Sequence, residues 1–153
     1  MPYAESVGAL RDLLDEGLVQ MVGISNADAS LISVALEVLG GRLAAVQNEL
    51  SISTRTSEAE VAMCAERQIA FLAYQPLGGR GSAAGLGTRH PVLQQLADDR
   101  GVSPQRVALA WLLAKSPNLI PIPGARRPST ILDSVKAAEI RLTAQEIETL
   151  DRL

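Results

Sequence analysis

Four short, mostly apolar runs, each followed by polar residues and a stretch with helical spacing, constrain this chain more than any other feature. They are Leu18 to Ile24, Leu43 to Val46, Ile69 to Tyr74 and Leu119 to Gly124. Short and mostly apolar, with β-branched Val19, Val22 and Ile24 in the first, they read as buried strands. Ahead of the first run, Ala4 to Glu16 places Val7, Leu10, Leu13 and Leu14 at helical spacing, with Gly17 as the stop. Asp28 or Ser30 caps a second helix running to about Leu39, closed by Gly40 and Gly41. Ser57 and Glu60 have capping-box spacing and open a helix through Arg67, with Val61, Met63, Cys64 and Ala65 available for burial. His90-Pro91 leads into a helix ending near Arg100-Gly101. Ser103-Pro104 starts another, buried from Val107 to Leu113. Ser129 to Ala138 forms the next, and Thr143 with Glu146 makes a capping box for a short last helix. Gln75 to Ser82 and the glycines beyond it read as a long mobile loop.

The order is one helix, four βα units and a closing helix. Alternation of this kind implies an α/β fold with a parallel sheet and right-handed crossovers, either an open doubly wound sheet or part of a (β/α)8 barrel. Ser25-Asn26, Gln47-Asn48, Tyr74-Gln75 and Gly124-Ala125-Arg126 all follow strand C-termini, the face on which barrel enzymes build their sites. The plain alternative is that strands have to end in something polar.

Composition narrows the function. With 153 residues, 47% of them hydrophobic, the chain reads as one domain spanning 1–153 that buries its own core without disulfides or metal. A formal net charge of -3 leaves no broad basic surface for nucleic acid or anionic lipid. Cys64 is the single cysteine, with no CxxC or HxxxH companion, which points away from zinc and towards a core thiol in a reducing compartment. No charged-then-apolar leader is evident and no run is long enough to span a bilayer, so the expected setting is the cytoplasm.

Val22-Gly23-Ile24-Ser25-Asn26, Val46-Gln47-Asn48-Glu49, Ala73-Tyr74-Gln75-Pro76-Leu77-Gly78 and Ile120 to Pro128 resemble, in order and spacing, four successive signatures of the aldo-keto reductase superfamily. The resemblance runs from Ala4-Glu5-Ser6 to Glu146 to Asp151, nearly the whole chain. It implies the C-terminal half of a TIM barrel, with the N-terminal half absent, and a nicotinamide dinucleotide, NADP(H), across the strand ends. By the same resemblance Ser25, Asn26 and Gln47 hydrogen-bond the nicotinamide carboxamide and Tyr74 stacks on the ring, the plain alternative for Tyr74 being a core tyrosine. Gln75, Pro76, Leu77 and Gly78 lie along the pyrophosphate, or form a mere flexible connector. Gly124, Ala125, Arg126, Thr130, Asp133 and Ser134 fall where the family wraps the 2'-phosphate and adenine. Thr130 stands where many members have Arg or Gln, Ser134 where Asn is usual, and Gly124-Ala125 where some have Lys-Ser. Arg126 or Arg127 suits a phosphate, and a solvated arginine pair is the equal alternative.

The family's Asp, Tyr, Lys and His tetrad belongs to strands 2 to 4 of the barrel, and Tyr3, His90, Lys115 and Lys136 match none of its positions. No catalytic residue and no metal ligand is therefore expected here. A small carbonyl substrate is expected only if the missing half is supplied. Half a barrel leaves two strand edges open, inviting a second copy, another chain, or the preceding part of a longer chain. The resemblance thus implies an NADP(H)-dependent oxidoreductase of aldehydes or ketones, and the alternative is an inactive nucleotide-binding or protein-interaction half-barrel.

Overall fold

The structure, a computed structural model, describes residues 2–153. Its elements are α1 (Tyr3–Asp15), β1 (Val22–Ser25), α2 (Ala29–Val38), β2 (Leu43–Glu49), α3 (Glu58–Glu66), β3 (Ala70–Tyr74), α4 (Leu86–Arg89), α5 (Pro91–Arg100), α6 (Pro104–Lys115), β4 (Leu119–Pro121), α7 (Pro128–Val135) and α8 (Ala144–Asp151). The strands form one parallel sheet in the order β1-β2-β3-β4, so the chain is four consecutive βα units of a (β/α)8 barrel.

Register explains which side is dry. Ile24 pairs with Val46, Val46 with Phe71, and Phe71 with Leu119. Val46, Phe71 and Leu119 are buried under the helices. Side chains alternate along a strand, so the row from Ser25 through Gln47 and Leu72 to Ile120 lies on the opposite face, where Ile120 is half exposed. One residue before the buried row, Gly23, Ala45 and Ala70 form a second row on that open face.

Six successive residues of α6, Val107 to Leu112, are buried, because the helix is enclosed by α5, α8 and β4 rather than lying on the surface. Trp111 Nε1 donates to Asp151 Oδ1 at 2.7 Å, and Lys115 Nζ donates to the same oxygen at 2.6 Å. Arg55 and Lys115 also lie against the indole ring, so α8 is fastened through a charged sandwich around one tryptophan. Cys64 is fully buried, and burial, aided by Glu60, pushes its thiol up to about 11.

Several sequence expectations shift, each for a local reason. β1 begins at Val22, not Leu18, because Leu18 is used to close α1. Its N–H donates to Leu13 O at 3.0 Å while Gly17, in the left-handed region, donates to Leu14 O at 3.1 Å. The capping box at Ser57 does not form: its backbone is not extended and its side chain caps nothing, while Arg55 holds Glu58 at 2.8 Å instead. The box at Thr143 does form. Glu146 closes it and also takes two hydrogen bonds from Arg100, which together with the Thr143 contacts hold its carboxyl down at about 2 against the cost of burial. The run expected as a mobile loop contains a 3-10 turn at Ala83–Gly85 and the short α4, anchored by fully buried Leu86. β4 ends at Pro121 rather than Gly124, where Pro121 and Pro123 supply no N–H to continue a ladder.

The two flanks of the half-barrel are uncovered. Leu13, Leu18 and Met21 are exposed on the α1 side; α7 buries no residue and exposes Ile131, Leu132 and Val135 on the other. Among the described residues no helix is long and apolar enough to cross a membrane, and no cluster of His, Cys, Asp and Glu could hold a metal ion.

Candidate cofactor-binding site

The C-terminal ends of β1, β2 and β3 bring polar side chains together. Ser25 pairs with Gln47 in register, and its hydroxyl donates to Gln47 O at 2.8 Å. Asn26 turns the chain out of β1 with a φ of 54°, in the left-handed region that asparagine tolerates better than most residues. Its N–H donates to Gln47 O at 3.0 Å, and its Oδ1 accepts a 2.8 Å hydrogen bond from the Tyr74 hydroxyl two strands away. Ser25, Asn26, Gln47 and Tyr74 therefore form one cluster. Asn26 Nδ2 and the Gln47 amide remain available, a set of donors and an acceptor that suits a carboxamide.

Asn48 sits beneath this cluster. It is buried, its Oδ1 accepts from Ala27 N at 3.1 Å, and its Nδ2 donates to Ala27 O at 2.8 Å. The side chain thus ties β2 to the turn that presents Asn26. The sequence marks Asn48 only as part of a polar strand end, and its tie to the Ala27 backbone appears once β1 and β2 are paired.

Tyr74 is followed by Gln75, which also adopts a positive φ, of 49°. Two of the three non-glycine residues with positive φ among the described residues, Asn26 and Gln75, therefore leave strand ends at the site, and the third, Gln68, turns the chain from α3 into β3. Beyond Gln75, Gly78 and Gly79 have φ of 84° and 88° and bend the loop back, with Gly78 N donating to Gln75 O at 2.8 Å. The result is a cleft of about 790 Å³. One wall is Gln75, Pro76, Leu77 and Gly79 to Gly81, and the other is Ile122 to Arg126. Its size matches a site for a small molecule or cofactor. Arg80 and Arg126 both line the cleft, are exposed, and form no ion pair among the described residues. Arg80 was not foreseen, hidden in a glycine-rich run that reads as loop.

The α7 residues behave differently. Asp133 accepts from Ser103 Oγ at 2.5 Å and from Arg106 Nε at 3.0 Å, tying α7 to α6. Burial raises its carboxyl, but the Ser103 and Arg106 contacts outweigh that and hold it below the ordinary range. Ser134 Oγ donates to Thr130 O at 3.0 Å within the helix. None of Thr130, Asp133 and Ser134 lines the cleft that Gly124, Ala125 and Arg126 share with the loop after β3. Of the residues set aside as proton donors, His90 Nε2 lies 2.8 Å from Ser53 Oγ in a contact between loops, and the Tyr3 hydroxyl is buried without a partner among the described residues.

The pattern of the Aldo/keto reductase family matches residues 1–153. The chain belongs to the aldo/keto reductases. It is 31% identical over 146 residues to pyridoxine 4-dehydrogenase of Escherichia coli K12, covering 95% of this chain and 49% of that protein. Among solved structures it resembles aldose reductase from Giardia lamblia, with a TM-score of 0.88 and 28% identity over all of this chain and 50% of that one. It also resembles an aldo/keto reductase from Klebsiella pneumoniae in complex with NADP and acetate, with a TM-score of 0.85 and 26% identity over 99% and 54% of the two chains. This aldo/keto reductase chain spans about half the length of the relatives it matches.

Proposed function

We propose that this chain supplies the NADP(H)-binding half of a reductase of aldehydes or ketones. The observation carrying the reading is the adjoining of an amide and hydroxyl cluster to a cleft edged by two arginines without acidic partners among the described residues, joined through the consecutive residues Tyr74 and Gln75. Bound NADPH supplies hydride to a carbonyl carbon. The chain's own residues bind and orient. Asn26 and Gln47 hold the carboxamide, Ser25 steadies the Gln47 backbone, and Tyr74, fixed by its bond to Asn26, offers a ring face to the nicotinamide. Gly79 lines the cleft and lets backbone approach the pyrophosphate, Gly78, which does not line it, turns the loop behind, and Arg126 and Arg80 face the pyrophosphate charge or that of the 2'-phosphate, an arrangement that favours NADP(H) over NAD(H). Thr130, Asp133 and Ser134 belong to the adenine end, where Asp133 would have to share its carboxylate with Ser103 and Arg106.

No residue here is assigned the proton transfer, which falls to the complementary half of the barrel together with part of the carbonyl pocket. The open sheet edges support self-association as one source of that complement. Unpaired Cys64 suits the cytoplasm. Fluorescence titration of the purified chain with NADPH tests the reading. Tyr74→Ala is expected to weaken binding at least tenfold, with NADH weaker than NADPH in the parent. Affinity unchanged by Tyr74→Ala would overturn it.

A further inference from the structure

We propose that the chain carries a further binding site, for an aliphatic polyamine, in the hollow where the turn after β1 and the end of β2 meet the start of α3. The hollow measures about 340 Å³, and three carboxylates, Asp28, Glu49 and Glu60, line it. No Lys, Arg or His does so. None of the three acids forms an ion pair among the described residues. Nothing from α1, β4, α7 or α8 contributes to the lining, so the hollow does not depend on the two flanks of the sheet. The inference is independent of the cofactor assignment. Asn26 and Tyr74 border both places, but Ser25 and Gln47 do not line the hollow.

Acids gathered at a surface are commonplace, and Glu60 is a different case. It is 9% exposed, yet its carboxylate accepts no hydrogen bond among the described residues. Ser57 and Glu60 have the spacing of a capping box, in which Glu60 reaches back to the Ser57 N–H, and that bond is not made. The side chain lines the hollow instead, together with Ser57, whose buried hydroxyl caps nothing. A carboxylate taken out of water without a partner destabilises the folded chain, and a cation arriving beside it relieves that penalty.

The kind of cation follows from how the charges are spread. Among the described residues no group of His, Cys, Asp and Glu converges closely enough to hold a metal ion. The acids lie at different depths: Glu60 is buried, Glu49 half-buried and Asp28 exposed at the rim. A flexible chain with ammonium groups along its length meets them in turn, its leading nitrogen at Glu60. Ammonium groups only donate, and acceptors are at hand. Asp28 uses Oδ1 to cap α2 and keeps Oδ2, and the Tyr74 hydroxyl, which donates to Asn26, keeps its lone pairs.

The test is isothermal titration of the intact chain with spermidine at about 0.15 M salt, which screens attraction to exposed charges beyond ~8 Å. Saturable binding of one spermidine per chain is expected, weakened at least tenfold by Glu60→Gln. Glu66→Gln removes the same charge from an exposed position of α3 outside the hollow and should leave affinity unchanged. Spermidine should raise the melting temperature of the parent and not that of Glu60→Gln. Glu49→Gln, expected to weaken binding in the same direction, serves as the second variant if Glu60→Gln does not fold. Absence of saturable binding, equal weakening by Glu60→Gln and Glu66→Gln, or displacement of spermidine by magnesium at equal concentration overturns the proposal.

Discussion

Replacing Asn48 by leucine isolates the contribution of a single side chain to both the fold and the site. Asn48 makes two hydrogen bonds to the backbone of Ala27, which is 1% exposed, so leucine would strand one N–H and one C=O with no water to replace the lost amide. Stranding a buried polar group costs about 1–3 kcal/mol, or about 4 kcal/mol for the pair at mid-range. Burying the leucine side chain in place of the amide returns about 1 kcal/mol, leaving a net loss of ~3 kcal/mol. Urea denaturation followed by circular dichroism would read this as a fall in midpoint at unchanged slope. Because the turn that carries Asn26 begins at Ala27's neighbour, NADPH affinity should fall as well, under conditions where the variant is still folded. A stability loss below ~1 kcal/mol would refute the reasoning, since it would mean that water or a relaxed turn satisfies Ala27 without Asn48.

Other consequences follow from contacts outside the cleft. Glu146, held at about 2 in the folded chain, contributes stability that is fully present above its ordinary value of 4.5 and is lost as pH falls from 4.5 towards 2. Glu146→Gln should remove about 1–2 kcal/mol at pH 7, after allowance for the partial exposure of the pair, and flatten the acid limb of a stability-pH curve. A variant with the same acid limb as the parent would count against that assignment. Trp111→Phe removes the indole N–H from Asp151 and leaves a gap in the most enclosed helix, so a loss of about 2–3 kcal/mol is expected, with proteolysis beginning at α8. Uniform loss of protection along the chain would argue that α8 is not separately fastened.

Much of the fold was legible because it depends on local rules. The order of strands and helices follows from periodicity, and Pro91, Pro104 and Thr143 each start helices where the sequence places them. Boundaries were less legible wherever a residue has two local uses. Leu18 has the composition of a strand residue but closes α1, and Ser57 has the spacing of a cap without its backbone conformation. In the site, Ser25, Asn26, Gln47 and Tyr74 could be anticipated as a group because they follow strand ends that a parallel sheet brings side by side. The partners of Asp133 could not be read in the same way. Its ties to Ser103 and Arg106 span some thirty residues and arise only once α6 and α7 pack. Arg80 escaped notice because nothing in Gly79-Arg80-Gly81 says that the loop folds back against Ile122 to Arg126.

The single thiol gives this molecule a built-in clock. Cys64 lies in the core with no exposed surface and with its ionisation pushed up to about 11, so an alkylating reagent at neutral pH finds neither access nor thiolate in the closed state. Each labelling event then records an excursion that exposes α3, and its rate under excess reagent reports how often the helix layer lifts from the sheet. Comparison of that rate with and without NADPH would reveal whether occupancy at the strand ends is felt on the far side of the sheet, without adding any probe to the chain.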